Sequence, residues 1–228
     1  TGDVTVDVSP AKGSDEHYAY VGGLVGYNMV TSIRDCYATG EVIGSNLCDA
    51  GGLVGYSRSM SIIERCFASG DVSVENCGDI SKNTCLGGLI GYLSSGTLTC
   101  AYATGDVWAT NIEADGFEYF GGLLGYLEKN TATVNRAYAT GAVTGNIPSG
   151  KGGTGGLVGK YKDGTFTDAY WNSINNAKSN GNTDTAYGTG LPTILMTGST
   201  ALDTGNMSGL GTADFVIKAN ASGDGTIY

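Results

Sequence analysis

The sequence predicts an all-β protein, a parallel β-solenoid of about five coils closed by an irregular C-terminal cap. Two observations carry this. The phrase Gly22-Gly23-Leu24-Val25-Gly26-Tyr27 returns at residues 51–56, 87–92, 121–126 and 155–159, with 29, 36, 34 and 34 residues from one glycine pair to the next. A second phrase follows each copy: Cys36-Tyr37-Ala38-Thr39-Gly40, Cys66-Phe67-Ala68-Ser69-Gly70, Ala101-Tyr102-Ala103-Thr104-Gly105, Ala137-Tyr138-Ala139-Thr140-Gly141 and, altered, Ala169-Tyr170-Trp171. Repeats of this period are the signature of stacked architectures, in which each unit buries its apolar face only against its neighbours.

Composition supports a turn-rich β fold. The chain has 39 glycines, 14 tyrosines and only 3 prolines, and its hydrophobic share of 41% is too high for a disordered chain. Its formal charge of −10 has the wrong sign for holding nucleic acid or an anionic membrane surface. No apolar run reaches the roughly 20 residues of a membrane helix, so no membrane insertion is expected within the chain.

Taken in order, Thr1-Gly2-Asp3-Val4 repeats the wording of Thr104-Gly105-Asp106-Val107. The expectation is a processed chain or a fragment of a larger exported protein, with a strand at residues 3–8 and a connection holding Pro10 and the single histidine, His17. Each repeat is then expected to hold two short extended stretches, one opening on Gly-Gly and one centred on Tyr-Ala-Thr-Gly. When coils stack, equivalent side chains lie about 4.8 Å apart and the same residue must fit every rung. Leu24, Leu53, Leu89, Leu123 and Leu157 are expected to form an apolar row, and Thr39, Ser69, Thr104 and Thr140 a hydroxyl row. Residues 41–50, 71–86, 106–120 and 142–154 read as variable loops, the segments that collect on a binding face. Beyond Trp171 the glycine-pair phrase stops, which divides the chain into a solenoid over residues 1–172 and a cap over 173–228 packed on its end.

The six cysteines fit no zinc pattern. Cys36 and Cys66 stand where Ala101, Ala137 and Ala169 stand later, as small core residues would, whereas Cys48, Cys77 and Cys85 are the better candidates for disulfides.

The paired phrases resemble the GLUG motif family over residues 22–171. That resemblance implies a right-handed β-solenoid, an extracellular or cell-surface location, and a place in large exported bacterial proteins such as adhesins, where the repeats are non-catalytic. It implies no ligand. Lys160, where other copies have Tyr, departs from the pattern.

Candidate sites follow from the residues. Trp108, Phe117, Tyr119 and Phe120 crowd the third loop and are the expected contacts for a partner, a host glycan or a host protein. Glu41, Asp71 and Asp106 share one rung position and are the candidate metal ligands; calcium is the cation that would suit them, although no cofactor is expected and capping of a turn accounts for them as well. Catalysis is not expected. His17 lies near no nucleophile phrase, and Asp71, Asp115 and Glu118, candidates for the paired carboxylates of a carbohydrate-processing β-helix, show no favouring spacing. The function expected is a non-enzymatic, adhesin-like stalk or ligand-presenting module, with a carbohydrate-binding or carbohydrate-processing β-helix as the alternative.

Overall fold

Four short strands close one coil of this chain, with glycines at two of the corners: the Gly-Gly pair and the row Gly40, Gly70, Gly105 and Gly141. The computed structural model describes residues 2–7, 19–45, 48–75, 83–112, 116–181, 187–197, 200–203, 205–212, 215, 217–218 and 226–227. The third coil, for example, runs through Asn83–Gly87, Ile90–Leu93, Gly96–Ala103 and Val107–Thr110. Its strands lie on four faces, each a parallel sheet with one strand from every coil. Among the described residues four coils are complete; a fifth supplies Gly152–Gly155, Val158–Tyr161 and Thr165–Asn172 to the first three faces, and Val4–Asp7 adds an extra strand to the fourth. The repeat therefore holds four strands rather than two. Gly-Gly is the corner between the first and second faces, and the segments read as loops contribute the strands of the fourth and first.

Two cores run the length of the stack. Between the second and third faces lie Leu53, Leu89, Leu123 and Leu157 with Ile63, Leu98 and Val134. Between the fourth and first faces lie Val42, Val72, Val107 and Val143 with Ala50, Leu86 and Phe120. The leucine row is buried as expected except for Leu24, which is 48% exposed because the first coil has a neighbour on one side only. The two cores are separated where the first and second faces cross. A Cβ on Gly91 would stand 2.8 Å from the Ala50 amide nitrogen, so only glycine permits the crossing.

Alternation breaks at two places in every coil. On the second face the register passes from Val54↔Ile90 to Tyr56↔Tyr92 with the glycine between them unpaired, so Ile90 and Leu93 both reach the core while Tyr92 turns away. On the third face the register skips Arg65 and Cys100, which share a left-handed backbone with Asp35, Arg136 and Asp168 (φ 48–54°). Such a conformation costs about 1–2 kcal/mol per non-glycine residue, and its recurrence in every coil marks a bulge on which the cross-section depends.

The cysteine row behaves as small core. Cys66 is buried in register with Ala101 and Ala137, and Cys36, Cys66, Cys85 and Cys100 are all free thiols. Cys85 therefore does not bridge: it points into a dry cluster with Tyr119 and Tyr126. Cys77 lies outside the described residues.

The C-terminal segment does more than close an end. Thr189–Leu191 adds a strand to the third face, and Asn180 bridges Val158 on the second. Met196, Met207, Leu210 and Phe215 then lie along the flank of the third face, over Cys100, Tyr102, Tyr138 and Tyr170.

Candidate functional site

Two aromatic rows stand outside the cores. On the third face Tyr37, Phe67, Tyr102 and Tyr138 stack ring on ring, with centroids 4.8–5.0 Å apart and planes within 6°. The C-terminal segment covers this row from Tyr102 onward, and Tyr37 stays 56% exposed. On the second face Tyr27, Tyr56, Tyr92 and Tyr126 follow one another at 4.6–5.4 Å. Lys160 takes the fifth rung, where its ammonium lies over the Tyr126 ring and donates to the Tyr119 hydroxyl at 2.9 Å. A cation on a ring face is worth about 0.5–2 kcal/mol, so the departure of Lys160 from the repeat ends the tyrosine row with a favourable contact.

The four aromatics expected in the third loop stand on two strands of adjacent faces. Phe120 is fully buried among Leu86 and Val107, and Tyr119 is buried beside Cys85 and Tyr126. Their sequence neighbourhood read as a loop because Phe117–Gly121 shares only its final glycine with Asn83–Gly87, the strand it pairs with rung for rung. Phe117 and Trp108 do face outward. Phe117 stacks on Tyr119 at 6.2 Å and is 44% exposed, whereas Trp108 lies half-buried on the outer side of the fourth face, level with Ser73 and Thr144.

The acidic row is a row in fact. The Asp3 carboxylate accepts the Glu41 N–H at 3.0 Å, Asp71 accepts that of Asp106 at 2.8 Å, and Asp106 accepts that of Ala142 at 2.8 Å. Each aspartate thus satisfies a corner amide one coil further on, as an N-cap does for a helix. Among the described residues no group of three or more acidic, cysteine or histidine side chains is gathered to hold a metal. The hydroxyl row Thr39, Ser69, Thr104, Thr140 stacks beside it through its backbone, with N–H groups bonded to the alanine carbonyls of the preceding coil at 3.1 Å.

Glu118, one of the three candidate carboxylates, is held away from solvent, which its sequence neighbours do not announce. Its side chain points inward beside Thr84, one rung away, and neither carboxylate oxygen has a hydrogen-bond partner among the described residues. Burial pushes its carboxyl up to about 7, and the Thr84 hydroxyl one rung away acts in the opposite direction. Asp115 and His17 lie outside the described residues.

A polar notch crosses the corner between the second and third faces, and no sequence phrase announces it. Three residues separate Ser57 from Ser61, two separate Leu93 from Gly96, and four separate Leu127 from Ala132, although these are rung partners. The third coil therefore has a shorter corner than the coils on either side of it, and small side chains there, Ser94 and Ser95. Arg58 and Ser59 overhang it from one side, Glu128 and Lys129 from the other, around a space of 280 Å³. Ser95 accepts the N–H groups of Ser59 and Met60 at 3.0 and 3.3 Å, and Ser94 donates to Glu128 at 2.7 Å.

Comparison with known proteins agrees with the repeat. Residues 17–43 and 46–77 match the family described as the GLUG motif. Halomucin of Haloquadratum walsbyi is 35% identical over 100 residues, a match that covers 43% of this chain and 1% of that protein's length. No solved structure matches the chain. Both phrases recur in register from coil to coil, and the two stretches that match the GLUG motif are the first two of these repeats.

Proposed function

We propose that this chain is a non-enzymatic module of a cell-surface or secreted protein, an adhesin-like stalk that holds its side chains and corners rigidly outward for a host glycan or protein. The observation that carries the reading is the continuous register of four parallel faces, which makes a stiff scaffold that presents its corners and outward rows in fixed positions. GLUG repeats and the likeness to halomucin support a surface or secreted setting. Trp108 and Phe117 remain the outward-facing aromatics through which a partner would be held.

The alternative, a carbohydrate-processing β-helix, needs two solvent-facing carboxylates around one bond. Asp71 is engaged by the Asp106 amide and Glu118 is sealed in the core, which favours presentation over catalysis. The test is made on intact cells that produce the full-length protein. An impermeant antibody against this segment should label them without lysis; labelling that requires lysis overturns the reading.

A further inference from the structure

The leucine, valine and alanine rows inside this solenoid repeat one residue type from coil to coil, because a side chain that fits one rung must fit the next. The corner row between the second and third faces breaks that rule. In rung order it reads Met29, Arg58, Ser94, Glu128 and Lys162, and the row beside it Val30, Ser59, Ser95, Lys129 and Asp163. Long charged side chains flank a pair of serines. Rungs are about 4.8 Å apart, so the walls of the notch stand about 10 Å from each other, the width of one sugar ring. Its 280 Å³ falls just short of the roughly 300–1,000 Å³ of sites for drug-sized ligands.

The charges in the notch are unevenly spent. Glu128 is engaged by the Ser94 hydroxyl and by Lys162 at 3.7 Å. Arg58 and Lys129 have no ion pair among the described residues, and the guanidinium of Arg58 reaches only the Ser59 hydroxyl at 3.4 Å. Two such cations overhanging one polar recess are unusual in a chain with 12 basic and 22 acidic residues. Arginine recognises a planar oxyanion through two parallel N–H bonds, and lysine adds a point charge. The floor supplies the Ser94 and Ser95 hydroxyls, and the wall the Ser59 hydroxyl and the half-buried ring of Tyr56. The floor is also held in place, since the Ser59 and Met60 amides, both left-handed, are clamped on Ser95. A recess with cations at its rim, hydroxyls beneath and an aromatic ring at its side has the chemistry of a site for a charged sugar.

We infer that the notch over Ser94 and Ser95 binds one anionic sugar residue, whose acidic group is held by Arg58 and Lys129 and whose hydroxyls meet the serines and Glu128. The inference rests on the reading of the chain as a presenting module and names the ligand class. Its test uses the purified chain and not cells, so it fails or stands separately from surface display.

Calorimetric titration with oligogalacturonate, with its carboxyl-reduced neutral counterpart and with an O-sulfated galactose oligosaccharide separates the sources of charge. Binding of oligogalacturonate or of the sulfated sugar, weakened at least tenfold by Arg58→Ala and by Lys129→Ala and by raising the salt, is the expected result; which of the two binds assigns carboxylate or sulfate. Both side chains are solvent-exposed, so both variants keep the fold, which circular dichroism checks. Lys178→Ala, an equal loss of charge elsewhere on the surface, should leave the affinity unchanged. Equal binding of the neutral sugar, an equal loss in Lys178→Ala, unaltered affinity in the two notch variants, or no binding of either anionic sugar overturns the inference.

Discussion

The Cβ of Ala68 lies 2.8 Å from the point where a Cβ on Gly52 would stand. Ala103 meets Gly88 at 3.0 Å and Ala139 meets Gly122 at 3.1 Å in the same way, so the alanine of the second phrase is packed against the second glycine of the first. The two phrases recur together because they touch. Gly88→Ala should cost at least about 3 kcal/mol, because the new Cβ meets the Gly122 carbonyl oxygen of the next coil as well as Ala103, whereas Gly2→Ala, with nothing within 4 Å, should change stability by less than about 0.5 kcal/mol. Urea denaturation of the two variants measures the difference, and equal midpoints would contradict the contact.

Glu118 predicts a pH dependence of known sign. Its folded-state value of about 7 lies above the 4.5 of an unperturbed glutamate, so its contribution is whole below about pH 4.5 and is lost as the pH rises through 7. Denaturant midpoints should fall across that window by the equivalent of about 3–4 kcal/mol, since each pH unit of displacement is worth about 1.4 kcal/mol. Glu118→Gln should flatten the fall. A parent protein whose stability does not change between pH 5 and pH 8 would show that the carboxyl is solvated.

The aromatics of the third coil boundary divide by burial. Phe120→Ala should cost about 3–5 kcal/mol, as deletion of a buried ring does, and Phe117→Ala less than about 1 kcal/mol. Replacing Trp108 and Phe117 together by serine should leave the melting temperature nearly unchanged. A large loss in that double variant would make both residues structural.

The acidic row makes an opposite pair of expectations. Asp106→Ala removes the acceptor of the Ala142 amide and should cost about 0.5–2 kcal/mol. We propose no calcium role for Glu41, Asp71 and Asp106, so melting temperatures in chelator and in millimolar calcium should coincide; a rise with calcium would assign them one.

The repeat, the parallel stack, the leucine row and the small-core cysteines were legible because each depends on residue identity at a fixed spacing. The first-face and fourth-face strands were not. Asn83–Gly87 and Phe117–Gly121 pair rung for rung through backbone groups while sharing only their final glycine, so no wording betrayed them. A period-two reading also fails at Cys100, where a left-handed residue resets the alternation and places Thr99 and Cys100 between the inward Leu98 and Ala101. The notch escaped for the opposite reason: it is made by a difference of one and two residues between neighbouring corners, which becomes visible only once the strands on either side are in register.

Leu89 lies fully buried in the central coil, between Leu53 and Leu123 of its neighbours. Leu89→Asp puts an unpaired charge into a dry row and disturbs two coil interfaces at once, a change expected to cost more than about 4 kcal/mol. Thermal and denaturant unfolding of the purified variant is the most direct measurement of the stacked core: the solenoid predicts a large fall in melting temperature or loss of the cooperative transition, and a variant that melts like the parent would contradict it.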